Sequence, residues 1–415
     1  MGMGKKPSLL ASCCLVLFAA VGQAVGPPAP IDAPEFVAPA EALCEASPPS
    51  CPVAAVPGTL IEVQAEYLLW WTKGPSVPPL LTTSDPDALG MLDAPSTRIL
   101  SGGKHANLST LSGFRWSTFL LLTHNVGVDF GGFLLQPQSV RSSFHSDANG
   151  TPLLALPYID PNGTFENAAV LASPATQTGS FTSRLSSLLW GGEVNGVYRL
   201  PLRGHWTVNL TTGFRYLNLH DELNVDSALT LTTTPGLFAG RDVPVGSTIA
   251  AFDAFDTRNE FYGGQVGCQV EWYHGPFSIN ARGKVALGDT VQSLTIAGSS
   301  VLNPGSPNAP SVPGGFYALP SNTGRISRNV FSVVPEVGVN VGCLMTRNIG
   351  LSLGYNFLYW SNVIRASEQV DRHINVTQVP SFDTGIRNGA NMPTAAYRST
   401  DFWAHGVNIS LLVQY

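Results

Sequence analysis

Charge is scarce in this chain. Only 12% of its 415 residues are Asp, Glu, Lys or Arg, where a soluble domain averages about 25%. No block of basic residues occurs and the net charge is −6, which excludes nucleic acid as a partner. Long apolar runs are missing too. After residue 25 nothing approaches the roughly 20 consecutive apolar residues of a membrane helix, although 44% of the chain is hydrophobic. Six cysteines are present, but no CxxC or His-rich spacing accompanies them, so neither a metal nor a cofactor is expected. A GxSxG nucleophile motif is also lacking, and the chain is not expected to be an enzyme.

What is present begins with a secretory signal. Lys5 and Lys6 precede the apolar stretch LLASCCLVLFAAVG, and Gly22-Gln23-Ala24 supplies a small-x-small cleavage site, so residues 1–24 read as a signal peptide. Residues 25–58 are rich in Pro and Ala and read as a periplasmic linker, because such a composition cannot bury enough surface to fold. Cys44 and Cys51 lie in it. In an oxidising compartment they could form a disulfide; two separate thiols fit equally well.

From residue 59 to 415 one pattern repeats. Ten segments of about ten residues alternate apolar with polar or Gly positions: 61–71, 113–121, 126–135, 187–200, 206–217, 261–273, 277–288, 335–345, 349–360 and 407–415. A period of two over such lengths means strands with unlike faces. One face carries no charge in any segment. The other carries Glu66, Arg115, Asp129, Glu193, Arg215, Gln265, Gln269, Glu271, Arg282, Lys284 and Glu336, the candidate lumen-lining residues. A Lys or Arg facing lipid at mid-bilayer costs about 2–4 kcal/mol, which accounts for the charge-free face.

Short and long connections alternate, with long polar ones after every odd segment. Aromatics on the apolar face fall at two heights. Trp206, Trp272, Phe277 and Tyr415 sit at the short-turn end, and Trp71, Tyr216, Tyr359 and Trp403 at the long-loop end. Tyr and Trp pair an apolar body with a polar tip, so two such girdles mark two membrane interfaces. The expected fold is all-β: a transmembrane antiparallel β-barrel of about ten strands, with short periplasmic turns and long external loops, in the bacterial outer membrane. The final segment, apolar at alternate positions and ending on Tyr415, resembles the signal that barrel assembly machinery reads. That machinery and outer-membrane lipid are the expected partners. Pro335 fits poorly inside a ladder and is expected at a bulge or above the membrane.

Several strings are specific. AEYLLWWTKG, GFRYLNL, RNEFYGGQVG, RGKVALG, ALPSNTGRISRNVFSVVPEVGVNVG and LGYNFLYWSNVIRASEQVDRHIN resemble, in that order, the putative β-barrel porin-7 family of bacterial outer-membrane proteins. The resemblance runs from about Ala65 to Tyr415. It implies a porin-like barrel, with passive transport of small solutes as the implied role. The residues leave a second reading of the lumen open. Eight strands give an interior that side chains just fill, so Arg115, Arg215, Arg282 and Lys284 could pair with Glu66, Asp129, Glu193 and Glu271 and plug it. A third reading is a surface scaffold or adhesin presenting the long Ser/Thr/Pro/Gly-rich loops. His220-Asp221-Glu222 and Asp371-Arg372-His373 place His beside carboxylates near the rim, but adjacent strand residues point to opposite faces. Cys268 and Cys343 fall on the apolar face as small apolar residues.

Overall fold

The computed structural model describes residues 61–161, 165–200, 202, 204–382 and 385–415. The predicted signal peptide and the linker through residue 58, with Cys44 and Cys51, lie outside the described residues. Strands dominate, and no α-helix occurs among the described residues. In chain order they begin with β1 (Ile61–Thr72), β2 (Ser76–Val77), β3 (Leu81–Thr83), β4 (Arg98–Ser101) and β5 (Lys104–His105). Next come β6 (Leu111–Leu121), β7 (Val126–Leu135), β8 (Gln138–His145), β9 (Leu154–Ile159) and β10 (Glu166–Ala172). Then follow β11 (Gln177–Leu200), β12 (Trp206–Leu231), β13 (Gly236–Phe238), β14 (Arg241–Val243) and β15 (Thr248–His274). The last are β16 (Phe277–Leu302), β17 (Ser311–Pro313), β18 (Gly324–Leu344), β19 (Ile349–Val363) and β20 (Thr400–Gln414).

Ten of these form a ring in the order β1-β6-β7-β11-β12-β15-β16-β18-β19-β20, every neighbouring pair antiparallel. The last strand returns to the first: β20 pairs with β1 from Glu62 opposite Gln414 to Thr72 opposite Ala404. Alternation decides the faces. Along β1, Ile61, Val63, Tyr67 and Trp71 are exposed on the outside while Glu66, Leu68 and Trp70 are buried inside. The links at one end are tight. β15 passes to β16 through Gly275 and Pro276, and Gly275 takes a φ of +58°, a conformation open to Gly at little cost.

The long-loop end departs from the expected ten-residue segments. β11, β12, β15, β16 and β18 run for 24, 26, 27, 26 and 21 residues. Much of what the sequence suggests as long polar loop is therefore strand. The reason is a reversal of polarity. Below Tyr216, β12 turns Leu210 and Phe214 outward and Arg215 inward. Above it, Leu217, Leu219, Leu223 and Val225 turn inward and are buried, while His220, Glu222 and Asn224 turn outward. The period of two is unbroken, but apolar and polar have exchanged faces. An outward face that leaves hydrocarbon for water must become polar, and the inward face then becomes an ordinary core.

The long strands rise as a one-sided wall, with β8 added beside β11. A second antiparallel sheet, ordered β10-β9-β3-β4, packs on its inner surface. Leu81, Leu154, Leu156 and Leu171 of that sheet meet Phe181, Leu223, Leu229, Phe255 and Leu294 of the wall. The result is a two-layer cap above the ring. Pro335 is not at a bulge. It sits in the regular ladder opposite Val285. The pairing of β18 with β19 stops one residue away, at Glu336 opposite Leu358, so on that side no partner strand needs a donor from Pro335.

Candidate functional site

The ring interior is built in two layers. All eleven predicted lumen-lining residues face it, and the structure joins them into networks. Glu193 on β11 accepts from Arg215 on β12, from Lys284 on β16 and, at 3.1 Å, from Gln265 Nε2. Glu336 on β18 lies 2.7 Å from Arg215, 3.1 Å from Arg115 and 4.0 Å from Arg282. Glu66 on β1 lies 3.9 Å from Arg282 and accepts from Asn408 Nδ2 at 3.1 Å. Asp129 accepts from Asn195 Nδ2 at 3.2 Å. Nearer the short turns, Glu271 accepts from Gln269 and Asn280, both at 2.5 Å, and from the Tyr273 hydroxyl. Five of these ties, from Glu193 to Lys284 and Gln265, from Glu336 to Arg215 and Arg115, and from Glu66 to Arg282, cross the interior between strands that are not neighbours. A buried charge needs a partner, and here each Arg and Glu of the middle layer has one.

Asn340, Asn356 and Asn408 extend the network as an amide chain, with bonds of 2.7 and 3.1 Å between them. None of the three is among the eleven candidate lumen-lining residues, and the sequence reading also missed the second layer. Directly above the charges, inward side chains from all ten ring strands meet: Leu68 and Trp70, Leu111, Leu135, Leu189, Leu217 and Leu219, Phe261, Ala286, Val334, Leu358 and Trp360, Phe402 and Ala404. Trp70, Phe261 and Trp360 are wholly buried. Gly263 makes room for one of them, because a Cβ there would come within 2.4 Å of the Phe261 ring. The Trp360 indole donates to Thr290 Oγ1 at 3.0 Å. Arg115 links the layers, its guanidinium 5.2 Å from the Trp70 ring centre and 5.5 Å from that of Phe133. Together these side chains form an apolar septum above the charges. Two small cavities, of about 10 and 20 Å³, border the septum and the cap core. Each has room for about one water. The signal was available: Trp70 and Trp360 stand at the inward parity of their strands, where the pattern below them is polar.

The cap is pinned to the wall by buried polar groups. Arg365 forms an ion pair with Asp221, both essentially without exposure, and donates through Nη1 to the Lys73 carbonyl at 2.9 Å. Asn259 holds the neighbouring backbone, donating to the Ile364 carbonyl at 2.8 Å and accepting from its N–H at 2.7 Å. Asp221 is thus turned away from His220, whose Nε2 lies 2.7 Å from Asp256 on the outer face. That hydrogen bond raises the His220 pKa above its ordinary value and lowers that of Asp256. Asp371 accepts from His373 Nδ1 at 2.7 Å and from the Thr394 amide at 3.1 Å. Arg372 pairs with Glu166. Both His-containing strings therefore hold structural contacts. Among the described residues no group of His, Cys, Asp or Glu is placed to hold a metal ion.

Asp253 anchors a second inward loop. Its Oδ1 accepts from the amides of Phe316, Tyr317 and Ala318 at 2.9, 3.0 and 2.7 Å. Burial pushes its carboxyl up to about 7 against the opposing pull of those amides. A carboxyl that binds its proton more tightly when folded stabilises the fold fully below its unfolded value and loses that contribution as pH rises through the folded one. The loop at 315–320 is therefore expected to be better protected from hydrogen exchange at pH of about 5 than at about 8.5. Asp253→Asn should flatten that dependence. Equal protection at both pH values would show that Asp253 stays ionised.

The aromatic residues lie on the outer face. Tyr216 lies 5.1 Å from both Trp190 and Tyr262 between ring centres, Tyr359 stands opposite Trp403, and Trp71 is exposed beside His405. At the other end Trp206 and Trp272 are 6.4 Å apart, with Phe277 and Tyr415 exposed. Cys268 and Cys343 also lie on the outer face.

A ring of ten antiparallel strands with an apolar exterior, aromatic residues at both ends and charge gathered inside defines a β-barrel type of protein. The chain belongs to the family described as Putative beta barrel porin-7, whose profile matches residues 63–415. No curated protein matches it. Among solved structures it is similar to the outer membrane protease OmpT from Escherichia coli, at 9% identity, covering 87% of this chain and 98% of that one, with a TM-score of 0.42. The P. putida toluene transporter TodX matches at 8% identity, covering 86% and 90%, with a TM-score of 0.21. LpxR from Salmonella typhimurium matches at 9% identity, covering 85% and 100%, with a TM-score of 0.20. Identities this low define no shared chemistry.

Proposed function

We propose that the protein is a bacterial outer-membrane barrel with a closed lumen, serving as a scaffold that carries its two-layer cap on the outside of the cell. On this reading its partners are outer-membrane lipid and the barrel assembly machinery, and it is not an enzyme. The septum carries the proposal. A passive pore needs a continuous hydrated path, and here Trp70, Phe261, Trp360 and their neighbours fill the cross-section without exposure. Beneath it the charges neutralise one another instead of facing open water. Ten strands stand near the number whose interior side chains can fill, well short of the 16–18 typical of wide channels. The experiment is planar-bilayer recording of refolded full-length protein. No steady conductance above the lipid background is expected, and stable unitary steps would overturn the proposal.

The family description favours a second reading, porin-like passage of small solutes. It requires the septum to be displaced, after which Glu193, Arg215, Gln265 and Lys284 would line the route. Reversal potentials measured on any conducting state would report the charge selectivity of that lining.

A further inference from the structure

We propose that the outer edge of β8 is a docking site for an extended acidic peptide strand of a partner protein. β8 is the end of the wall: among the described residues it pairs with β11 and with no other strand. Its partner registers run from Gln138 opposite Ser187 to His145 opposite Ser180, so a ladder of eight residues offers its second side. An open edge of this length is an invitation to strand addition, which natural sheets normally blunt. The cap does not cover it. Ser139, Arg141, Ser143 and His145 are exposed on the outer face, and Val140 on the inner face is 37% exposed.

Charge selects the occupant. The strand reads QSVRSSFH, with no acidic residue in it. Arg141 stands directly across from Arg184 of β11, and both are exposed. Like charges set opposite one another across a ladder are unfavourable, and no salt bridge among the described residues pairs either arginine with an acid. An incoming strand with Asp or Glu opposite Arg141 would relieve it. A second copy of the chain fits less well. The wall's other open edge, the upper part of β18, runs antiparallel to β8 and could continue the sheet, but it carries Arg325 and Arg328 and no acid. Joining the two edges would bring arginines together.

The inference rests on the wall lying outside the membrane, which trypsin treatment of intact cells tests by itself. Docking is tested on full-length protein in detergent micelles, where location does not matter. The probe is a fluorescent eight-residue peptide of alternating Thr and Glu, read by anisotropy beside its Thr/Lys counterpart. The Glu peptide is expected to bind about tenfold more tightly, and to weaken at high salt. Arg141→Glu should reverse the preference. N-methylation of alternate peptide amides should abolish binding, because the ladder needs those donors. Equal binding of the two peptides, or indifference to N-methylation, would overturn the proposal. So would an Arg141→Glu variant that self-associates with unchanged peptide affinity, since Arg141 would then only guard the edge. Wild-type oligomers that exclude the peptide would put a second copy there instead.

Discussion

Replacing Glu336 by Ala is expected to cost the barrel about 3–5 kcal/mol, the usual penalty for removing one partner of a buried ion pair. Glu336 is 5% exposed, and it faces Arg115 and Arg215, which are 8% and 4% exposed. With the carboxylate gone, two largely buried guanidiniums remain with less compensation. Glu193 is already shared between Arg215 and Lys284 and cannot serve Arg115. The measurement is the urea midpoint of refolded protein in lipid or detergent, with Glu336→Gln beside it. The amide keeps the shape and one acceptor but loses the charge, so its penalty should be smaller. Added salt should change neither value much, because buried pairs are screened little. A loss under about 1 kcal/mol for Glu336→Ala would mean that water reaches the layer freely, and would count against a closed lumen.

The ring was legible because two signals agreed over ten segments: the period of two, and the absence of charge from one phase of it. Segment 126–135 matches β7 at both ends, since its outward positions, from Val126 to Leu134, carry no polar side chain and never change sense. The segments that end short do so at the polarity reversal. Sequence reading of β12 stops at Leu217, and the strand runs on to Leu231. Both sides of the reversal alternate, but a search for apolar-outward residues loses the strand when apolar turns inward. The cap was not legible for a different reason. Its sheet is made of short pieces, Leu81–Thr83 and Arg98–Ser101 among them, too short for periodicity to register. Its anchors, Asp221, Asp253, Asn259 and Arg365, look like ordinary polar residues until the chain places them. Glu336 was legible as inward by parity, but its place at the junction of Arg115, Arg215 and Arg282 depends on the closing of the ring.

Breaking the Arg365–Asp221 pair should free the cap while leaving the ring intact. Arg365→Met leaves Asp221 buried without its cation, and Asp221→Leu strands Arg365 in the same way. Each single change is expected to cost about 3–5 kcal/mol, confined to the cap. Arg365 also donates to the Lys73 carbonyl and stacks its guanidinium 5.4 Å from the Phe402 ring centre, so its loss unties the segment after β19 from two strands at once. The expected observation is faster tryptic cleavage in the cap, at Arg372 or Arg398, with the heat-resistant electrophoretic mobility of the folded barrel unchanged. The double variant decides what the pair is for. Hydrophobic replacements of similar volume can match or exceed a buried ion pair in stability, so Asp221→Leu with Arg365→Met should recover most of the protection lost by either alone. A coupling energy near zero between the two sites would show that neither depends on the other, and that the cap is held by its apolar contacts with Phe181, Phe255 and Leu294.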